Sequence, residues 1–265
     1  MRRQQVYVRV VRVLAAGLFL AAGILVGSPN VANADVVAGP SMLQLHNEMR
    51  YAIGAPTLTA DPRVVLAAQN HANYNGANRI GGHFETAGLP YYTGYGPRDR
   101  VAAAGLSTSF VSEVATTMGG PLGGVRQLWD APYHRLGMMH PNASTAGWGH
   151  SDLAGSATVA NIAYDFSLRP VEFVRSPANG QTGIPPSWSG NESPSPLPAG
   201  VRGPVGYPIV VVYSAAQAVD MRAAEVVAPD GSRVPIYYVP QLYERDYQVI
   251  IPQRPLAAGT TYHVR

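Results

Sequence analysis

The chain has 265 residues, enough for one or two packed domains, and no cysteine, which excludes disulfide bonds and a cysteine nucleophile. Its 19 basic residues, all arginine, stand against 16 acidic residues and give a formal net charge of +3. Four of the arginines and no acidic residue lie in residues 1–34, so the rest of the chain is close to neutral. This balance excludes the basic surface that binding to nucleic acid or anionic lipid requires.

Residues 1–34 have the pattern of a cleavable secretory signal peptide. Four arginines precede an apolar run over 13–26, and Ala32 and Ala34 supply small residues where a signal peptidase reads them. The apolar run is shorter than the about 20 residues that a membrane-spanning helix needs. We therefore predict cleavage before Asp35, secretion to the extracellular space or cell surface, and no stable membrane span after cleavage. An uncleaved N-terminal anchor is the alternative.

Composition divides the remaining chain into three parts. Residues 36–174 have a mixed, globular composition, in which helical patterns precede β-like ones. Residues 175–206 are rich in proline, glycine and serine, which predicts an extended linker. Residues 207–265 alternate as β-strands do. The expected fold class is therefore α+β, followed by a small all-β domain.

The first part begins with two helices. Apolar spacing predicts a helix over 41–53. Asp61 and Pro62 are typical of an N-cap and a first helical position, so a second helix is predicted from there to about Asn75. Residues 76–108 contain many glycines and are predicted to form loops.

Two more helices are predicted before the first strands. One covers residues 109–118 with Ser109 as its cap, and the next covers 121–131. Pro132 interrupts the latter, so a turn that holds His134 is expected to follow.

The end of the chain is predicted to contain only strands. Five short β-rich segments lie in residues 207–265, and Asp230-Gly231 predicts a hairpin between two of them. Residues 256–262 are similar to the run that ends in the tyrosine corner of immunoglobulin-like sandwiches. We therefore predict an Ig-like β-domain, which is incomplete because about 60 residues fall short of the about 100 in a full domain.

Three polar residues beside segment boundaries are candidates for a site. His83 lies in a glycine loop, Glu113 lies early in the third predicted helix, and His134 lies in the turn after the fourth. Two imidazoles and a carboxylate suit either a divalent metal or general acid–base chemistry. His46 and His71 lie on predicted helices and are expected to be structural. The sequence lacks the serine-hydrolase, HExxH and P-loop motifs.

Ordered motifs between Leu45 and His134 resemble the CAP superfamily (cysteine-rich secretory, antigen 5 and pathogenesis-related-1 proteins) in its cysteine-free bacterial form. These motifs are His46-Asn47-x-x-Arg50, Asp61-Pro62-Arg63, Ala67-Ala68-Gln69-x-His71-Ala72-x-Tyr74, Gly82-His83-Phe84, Thr93-Gly94, Pro97-x-x-Arg100, Gly105, Glu113 and Trp129-x-x-Pro132-x-His134-Arg135. The resemblance predicts a CAP domain over 36–174. It implies an α-β-α sandwich with a central antiparallel sheet, and a cavity lined by two histidines and two acidic residues that binds divalent metal in several members.

The resemblance places His83, Glu113 and His134 in this cavity. It implies zinc or another divalent cation, for which three protein ligands and a water would suffice. The second acidic residue has no clear counterpart, and Asp130 is the nearest candidate. The sequence also departs from the family, because Ser112-Glu113-Val114 stands where the family has Gly-Glu-Asn and because the Gly-His-Tyr-Thr-Gln motif of eukaryotic members is absent.

Three functions are compatible with these features. The first is a secreted CAP protein whose His/Glu cavity binds a divalent metal and a lipid, glycan or peptide ligand. The second is a hydrolase in which metal-bound water or a His/Glu pair attacks a scissile bond. The third is a non-catalytic cell-surface or adhesion module.

Overall fold

A computed structural model describes residues 34–108, 110–168, 171–214 and 219–265. The predicted signal peptide lies outside these residues, apart from Ala34. The described residues belong to one compact unit that covers 32–265. Within these ranges, no helix combines the length and the hydropathy that crossing a membrane demands.

The helices precede most of the strands. The helices are α1 (Ala34–Ala52), α2 (Pro62–Asn78), α3 (Pro97–Ala103), α4 (Gly120–Asp130) and α5 (Pro132–Met139). The strands are β1 (Val111–Thr116), β2 (Ala143–Ser151), β3 (Ala157–Tyr164), β4 (Phe173–Ser176), β5 (Ser187–Trp188), β6 (Val205–Gly206), β7 (Ile209–Tyr213), β8 (Val226–Val227), β9 (Arg233–Val234), β10 (Ile236–Tyr238), β11 (Tyr247–Pro252) and β12 (His263–Val264).

The first sheet is antiparallel with the order β1-β3-β2 and has helices on both faces. Alternation along β3 produces the two apolar faces, because successive side chains of a strand point to opposite sides. Val159 packs with Ala68 and Ala72 of α2. Ala160 and Ile162 belong to the larger core that contains residues of α1, α4 and α5. The arrangement agrees with the α-β-α sandwich that the resemblance implies.

Two glycines of β2 allow α2 to lie directly on the sheet. A Cβ atom at Gly147 would lie 2.3 Å from the backbone of Val64, and one at Gly149 would lie 2.5 Å from the backbone of Gln69. Any side chain at either position would push the helix away from the strand. These two glycines therefore set the distance between α2 and the sheet.

The segment 175–206, predicted as an extended linker, is packed against the core. It contains β5 and β6, and its Trp188, Leu197 and Val205 are buried in the same apolar cluster as α1 and α4. Proline and serine are frequent in it, but these three apolar side chains are enough to fold it onto the neighbouring surface. The predicted boundaries at 174 and 206 therefore do not separate compact units.

The later strands form further small sheets, with the orders β10-β11-β7-β4, β12-β8-β9 and β5-β6. Strand β4, which ends inside the Pro-rich segment, pairs with β7 along one edge. The Ala257 amide donates to the Tyr262 hydroxyl oxygen at 3.0 Å, within the run that resembles a tyrosine corner. The Ig-like assignment of residues 207–265 stays a prediction.

A buried arginine joins the first sheet region to the second. The guanidinium of Arg135 donates to the Pro208 carbonyl at 3.0 Å and to the Asp130 carbonyl at 2.9 Å. It also lies 4.6 Å from the centre of the Tyr207 ring. Burial lowers the pKa of this guanidinium, and its contacts hold α5 against the start of β7.

Two of the elements predicted between residues 109 and 135 differ from the structure. Residues 111–116, predicted within a helix, form β1, because two valines and a threonine in the sequence VSEVAT favour a strand and all six residues pair with β3. Pro132 does end α4, but it is also the first residue of α5, where proline is tolerated. His134 therefore lies in the first turn of a helix and not in an open turn.

Candidate functional site

The three predicted site residues line one cavity of about 840 Å³ beside β1. His83 comes from the loop before α3, Glu113 from β1 and His134 from α5. The walls are mainly apolar, and they include Phe84, Phe110, Val111, Leu136, Tyr164, Phe166, Val212 and Tyr243. Two acidic residues of the C-terminal part, Glu244 and Asp246, also line it. The cavity therefore joins the predicted CAP region to the C-terminal strands.

The first polar group in the cavity is a histidine held by a carboxylate. Nδ1 of His83 lies 3.0 Å from Oε1 of Glu113, and the other carboxylate oxygen accepts from Nη2 of Arg100 at 2.7 Å. The side chains of Glu113 and Arg100 are 1% and 0% exposed, whereas that of His83 is 39% exposed. A buried ion pair thus fixes a partly exposed imidazole at the cavity wall.

Arg100 also holds the loop that carries His83. Its guanidinium donates to the carbonyl oxygens of His83 at 3.1 Å and Tyr95 at 3.2 Å. It lies in α3, within the segment that glycine content predicts to be loops. Gly96 and Pro97 begin this helix, and the Asp99 carboxylate accepts from the Gly96 amide at 2.9 Å. A Gly-Pro-x-Asp start is a signal that could have predicted it.

The Arg100–Glu113 ion pair contacts a second, fully buried His–Glu pair. Nδ1 of His71 lies 2.9 Å from Oε1 of Glu85, and both side chains are fully buried. Burial alone would raise the pKa of Glu85, but hydrogen bonds from His71 and the Thr93 amide, with the charge of Arg100, outweigh it and leave this pKa below its ordinary value. His71 is buried, as expected, yet its Nε2 lies 3.4 Å from Glu113 and so belongs to the network.

The second polar group in the cavity is His134, and its partner is Glu192. Oε1 of Glu192 lies 2.7 Å from Nδ1 of His134 and accepts from the His134 amide at 2.8 Å. Oε2 accepts from the Tyr133 amide at 3.1 Å. The side chain of Glu192 is fully buried, and its charge also favours the N-terminus of α5.

Glu192 is the acidic residue that sequence reasoning missed. Asp130, the candidate offered for this role, instead accepts from the Tyr207 hydroxyl at 2.8 Å, and burial raises its pKa. Glu192 lies 58 residues from His134 within the segment predicted as a linker. No local pattern in the sequence joins the two.

Other polar groups of the cavity bond to each other. Nδ1 of His140 accepts from the Asn142 amide at 3.0 Å, and Nε2 lies 3.1 Å from Asp246. The Ser112 and Tyr164 hydroxyl oxygens are 2.5 Å apart, and burial raises the pKa of Tyr164 to about 12.

The ligand set predicted for a metal does not fit this geometry. Among the described residues, no group of three or more His, Asp and Glu side chains is arranged to hold a metal ion. Glu113 already pairs with the cation of Arg100, and His134 is bonded to Glu192 and not to Glu113. A guanidinium at 2.7 Å from the carboxylate works against a second cation there. The site instead presents two imidazoles, each held by its own carboxylate.

His46 has the structural role expected for it. It is fully buried, with Nε2 2.8 Å from the Met138 carbonyl and Nδ1 accepting from the Trp148 indole at 3.3 Å. Burial lowers the pKa of His46 to about 3. Arg50 joins the same region because it also donates to Met138, at 2.7 Å. These contacts fix α1 against α5 and are not part of the cavity.

Comparison with known proteins finds a family match for the first part of the chain. Residues 43–162 match the model of the CAP, or cysteine-rich secretory protein, family. This match supports the resemblance that the motifs predicted. It includes His83, Glu113 and His134 but not Glu192. No curated protein matches the sequence.

Two solved structures are similar to part of the chain. One is an extracellular protein containing a SCP domain from Bacillus anthracis str. Ames, with 17% identity and a TM-score of 0.42 over 49% of this chain. This chain covers 41% of that protein, less than half of its length. The other is an outer surface protein from Borrelia burgdorferi, with 15% identity and a TM-score of 0.39 over 47% of this chain and 90% of its own.

Proposed function

We propose that this chain, whose residues 43–162 match the CAP family, is an exported protein whose cavity binds a small amphipathic ligand. The observation that carries the proposal is the cavity of about 840 Å³, with apolar walls and two imidazoles. Pockets of about 300–1,000 Å³ with mostly apolar walls and a few polar groups are typical of small-molecule sites. Export is supported by the signal-peptide pattern in residues 1–34.

The polar part of the ligand would lie against His83 and His134. Each imidazole is oriented by a carboxylate that has no more than 1% of its side chain exposed. The apolar part would pack against the aromatic side chains of the wall, which include Phe110 and Phe166. The expected zinc or other divalent cation would have to compete with Arg100 for Glu113, so this proposal rests on the two imidazoles and the apolar walls.

A variant that fills the cavity tests the proposal. Val111 lines the cavity and Leu153 is 52% exposed, so Val111→Trp and Leu153→Trp add bulk inside and outside, respectively. Displacement of a fluorescent apolar probe by alkyl ligands would measure affinity. We expect the cavity variant to lose at least about tenfold in affinity, while the control keeps it, because cavity volume is needed for apolar burial. Equal affinities in the two variants would refute the proposal.

Hydrolysis is a second candidate, favoured by the two carboxylate-bound imidazoles. A neutral imidazole oriented by a carboxylate is the arrangement of a general base, which takes a proton from an attacking water or hydroxyl. Turnover of ester, peptide and glycan substrates by the intact protein, compared with His134→Ala, tests this candidate. Turnover that falls in the variant would support hydrolysis, and identical rates would exclude His134 as the base. Zn²⁺ titration of the intact protein and of His83→Ala tests separately whether the cavity binds a divalent metal through His83.

A further inference from the structure

We infer that Glu192 determines which ligands the cavity accepts: their polar end donates hydrogen bonds and carries no negative charge. This inference rests on the proposed function, because it names the chemistry of the ligand for the same cavity. Two observations support it: each carboxylate fixes the tautomer of its imidazole, and the described residues of the cavity wall include acidic but no basic side chains other than histidine.

The first step concerns the tautomer of His134. A carboxylate oxygen accepts hydrogen bonds and donates none, so Nδ1 of His134, at 2.7 Å from Glu192, carries the hydrogen. In the neutral ring Nε2 is then an acceptor. The Tyr133 and His134 amides hold Glu192 in place, at 3.1 and 2.8 Å, so the carboxylate cannot turn away from the ring. Glu192 is therefore a positioning residue for His134.

The second imidazole repeats this arrangement. Nδ1 of His83 lies 3.0 Å from Glu113, so its Nε2 is also left as an acceptor. Both histidines line the cavity, and neither Nε2 atom is bonded to another described residue. The cavity thus offers two acceptors to its ligand. A hydroxyl or an ammonium group can donate to them, whereas an ionised carboxylate cannot.

The charges of the wall favour the same class of ligand. Among the described residues that line the cavity, Glu113, Glu244 and Asp246 are acidic and none is arginine, and the chain contains no lysine. The guanidinium of Arg100 lies behind Glu113 and is fully buried against it. An anionic head group would lose its hydration here without gaining a cationic partner. An aliphatic alcohol has no charge to desolvate, and an ammonium group finds acidic partners in Glu244 and Asp246.

Glu192 comes from outside the residues that match the family model, which end at 162. The segment that carries it has buried residues of its own, Trp188 and Leu197, in the same apolar cluster as residues of α5. The position of the acceptor on His134 is therefore set by a part of the chain that the family match does not include. A residue outside the family-matched range therefore contributes to the ligand preference of the cavity.

A matched set of ligands tests the inference. The intact protein is titrated at neutral pH with 1-decanol, decylamine and decanoate, which share one alkyl chain. We expect the alcohol and the amine to bind at least about tenfold more tightly than the carboxylate, a difference of about 1.4 kcal/mol. If decanoate binds as well as the other two, the inference is overturned while the proposed function stands. If none of the three displaces the apolar probe, the proposed function itself fails.

The role of Glu192 is tested by nitrogen-15 NMR of the imidazole rings. Long-range proton–nitrogen spectra distinguish the two tautomers, and we expect the Nδ1–H form for His134. Glu192→Gln places an amide that can donate to Nδ1, so it should move His134 toward the Nε2–H form and reduce the preference for decanol over decanoate. Glu172→Gln removes the same charge from an exposed position and should change neither.

Two results would overturn this assignment. One is an Nε2–H tautomer of His134 in the unmodified protein, a measurement that does not depend on whether any variant folds. The other is a Glu192→Gln protein that is folded by circular dichroism and matches the Glu172→Gln control in both tautomer and ligand preference.

Discussion

Replacing Arg100 with methionine should strongly destabilise the protein. The buried guanidinium lies 2.7 Å from Glu113 and 3.6 Å from Glu85, and both carboxylates are buried with it. Methionine fills much of the same volume but leaves two buried carboxylates without their cation. Removing one partner of a buried ion pair costs about 3–5 kcal/mol. The Arg63→Met control breaks the exposed pair with Asp61, which is worth about 0–1 kcal/mol.

Urea unfolding of Arg100→Met and Arg63→Met, followed by tryptophan fluorescence, measures the free energy of unfolding of each variant. The double variant Arg100→Met/Glu113→Gln should recover part of the loss, because the neutral amide no longer needs a cation. The Arg100→Met variant should also bind cavity ligands more weakly, since the His83 carbonyl loses its donor at 3.1 Å. If Arg100→Met lowers the free energy of unfolding by no more than Arg63→Met does, the buried ion pair does not organise the site.

Three further predictions concern the rest of the molecule. Folding lowers the pKa of His46 from 6.5 to about 3. The contribution of His46 to the free energy of unfolding should therefore be complete above about pH 6.5 and should decrease by about 1.4 kcal/mol per pH unit as the pH falls toward 3. His46→Gln should reduce this pH dependence, measured by urea unfolding at each pH. Gly147→Ala should lower the free energy of unfolding by about 1–3 kcal/mol, because the new Cβ would lie 2.3 Å from the backbone of α2. Gly123→Ala, in open space within α4, should raise it by about 0.5–1 kcal/mol. Thermal unfolding of the two variants compares these effects. N-terminal sequencing of secreted protein should begin at Asp35, and a start at Met1 would contradict the signal-peptide assignment.

Local sequence patterns predicted the parts of the fold whose cause is local. The Asp61-Pro62 start of α2 is confirmed, because the Asp61 carboxylate accepts from the Arg63 amide at 2.8 Å. The helix predicted over 41–53 likewise corresponds to the C-terminal part of α1, which begins earlier, at Ala34, and ends at Ala52. In both cases the signal lies in the helix itself or in the residue that caps it, so no distant partner is needed to decide the outcome.

Two of the failures have a different cause, which is pairing between distant residues. Residues 111–116 have too short a pattern to decide between helix and strand, and hydrogen bonds to β3 decide it. The carboxylate partner of His134 is Glu192, which lies in a segment whose composition suggested a linker. His83, Glu113 and His134 line one cavity, as the resemblance implies, but their partners depend on chain packing.

The buried guanidinium of Arg135 has a consequence for how the polypeptide can be divided. A chain cut after residue 174 would retain every family-matched position, yet it would remove the Pro208 carbonyl and the Tyr207 ring that satisfy this cation. The truncated product would lose these partners of the guanidinium and would expose apolar surface that residues 175–265 bury. We therefore expect the unit that folds cooperatively to be longer than the family-matched residues 43–162, and we expect residues 35–265 to melt in a single transition.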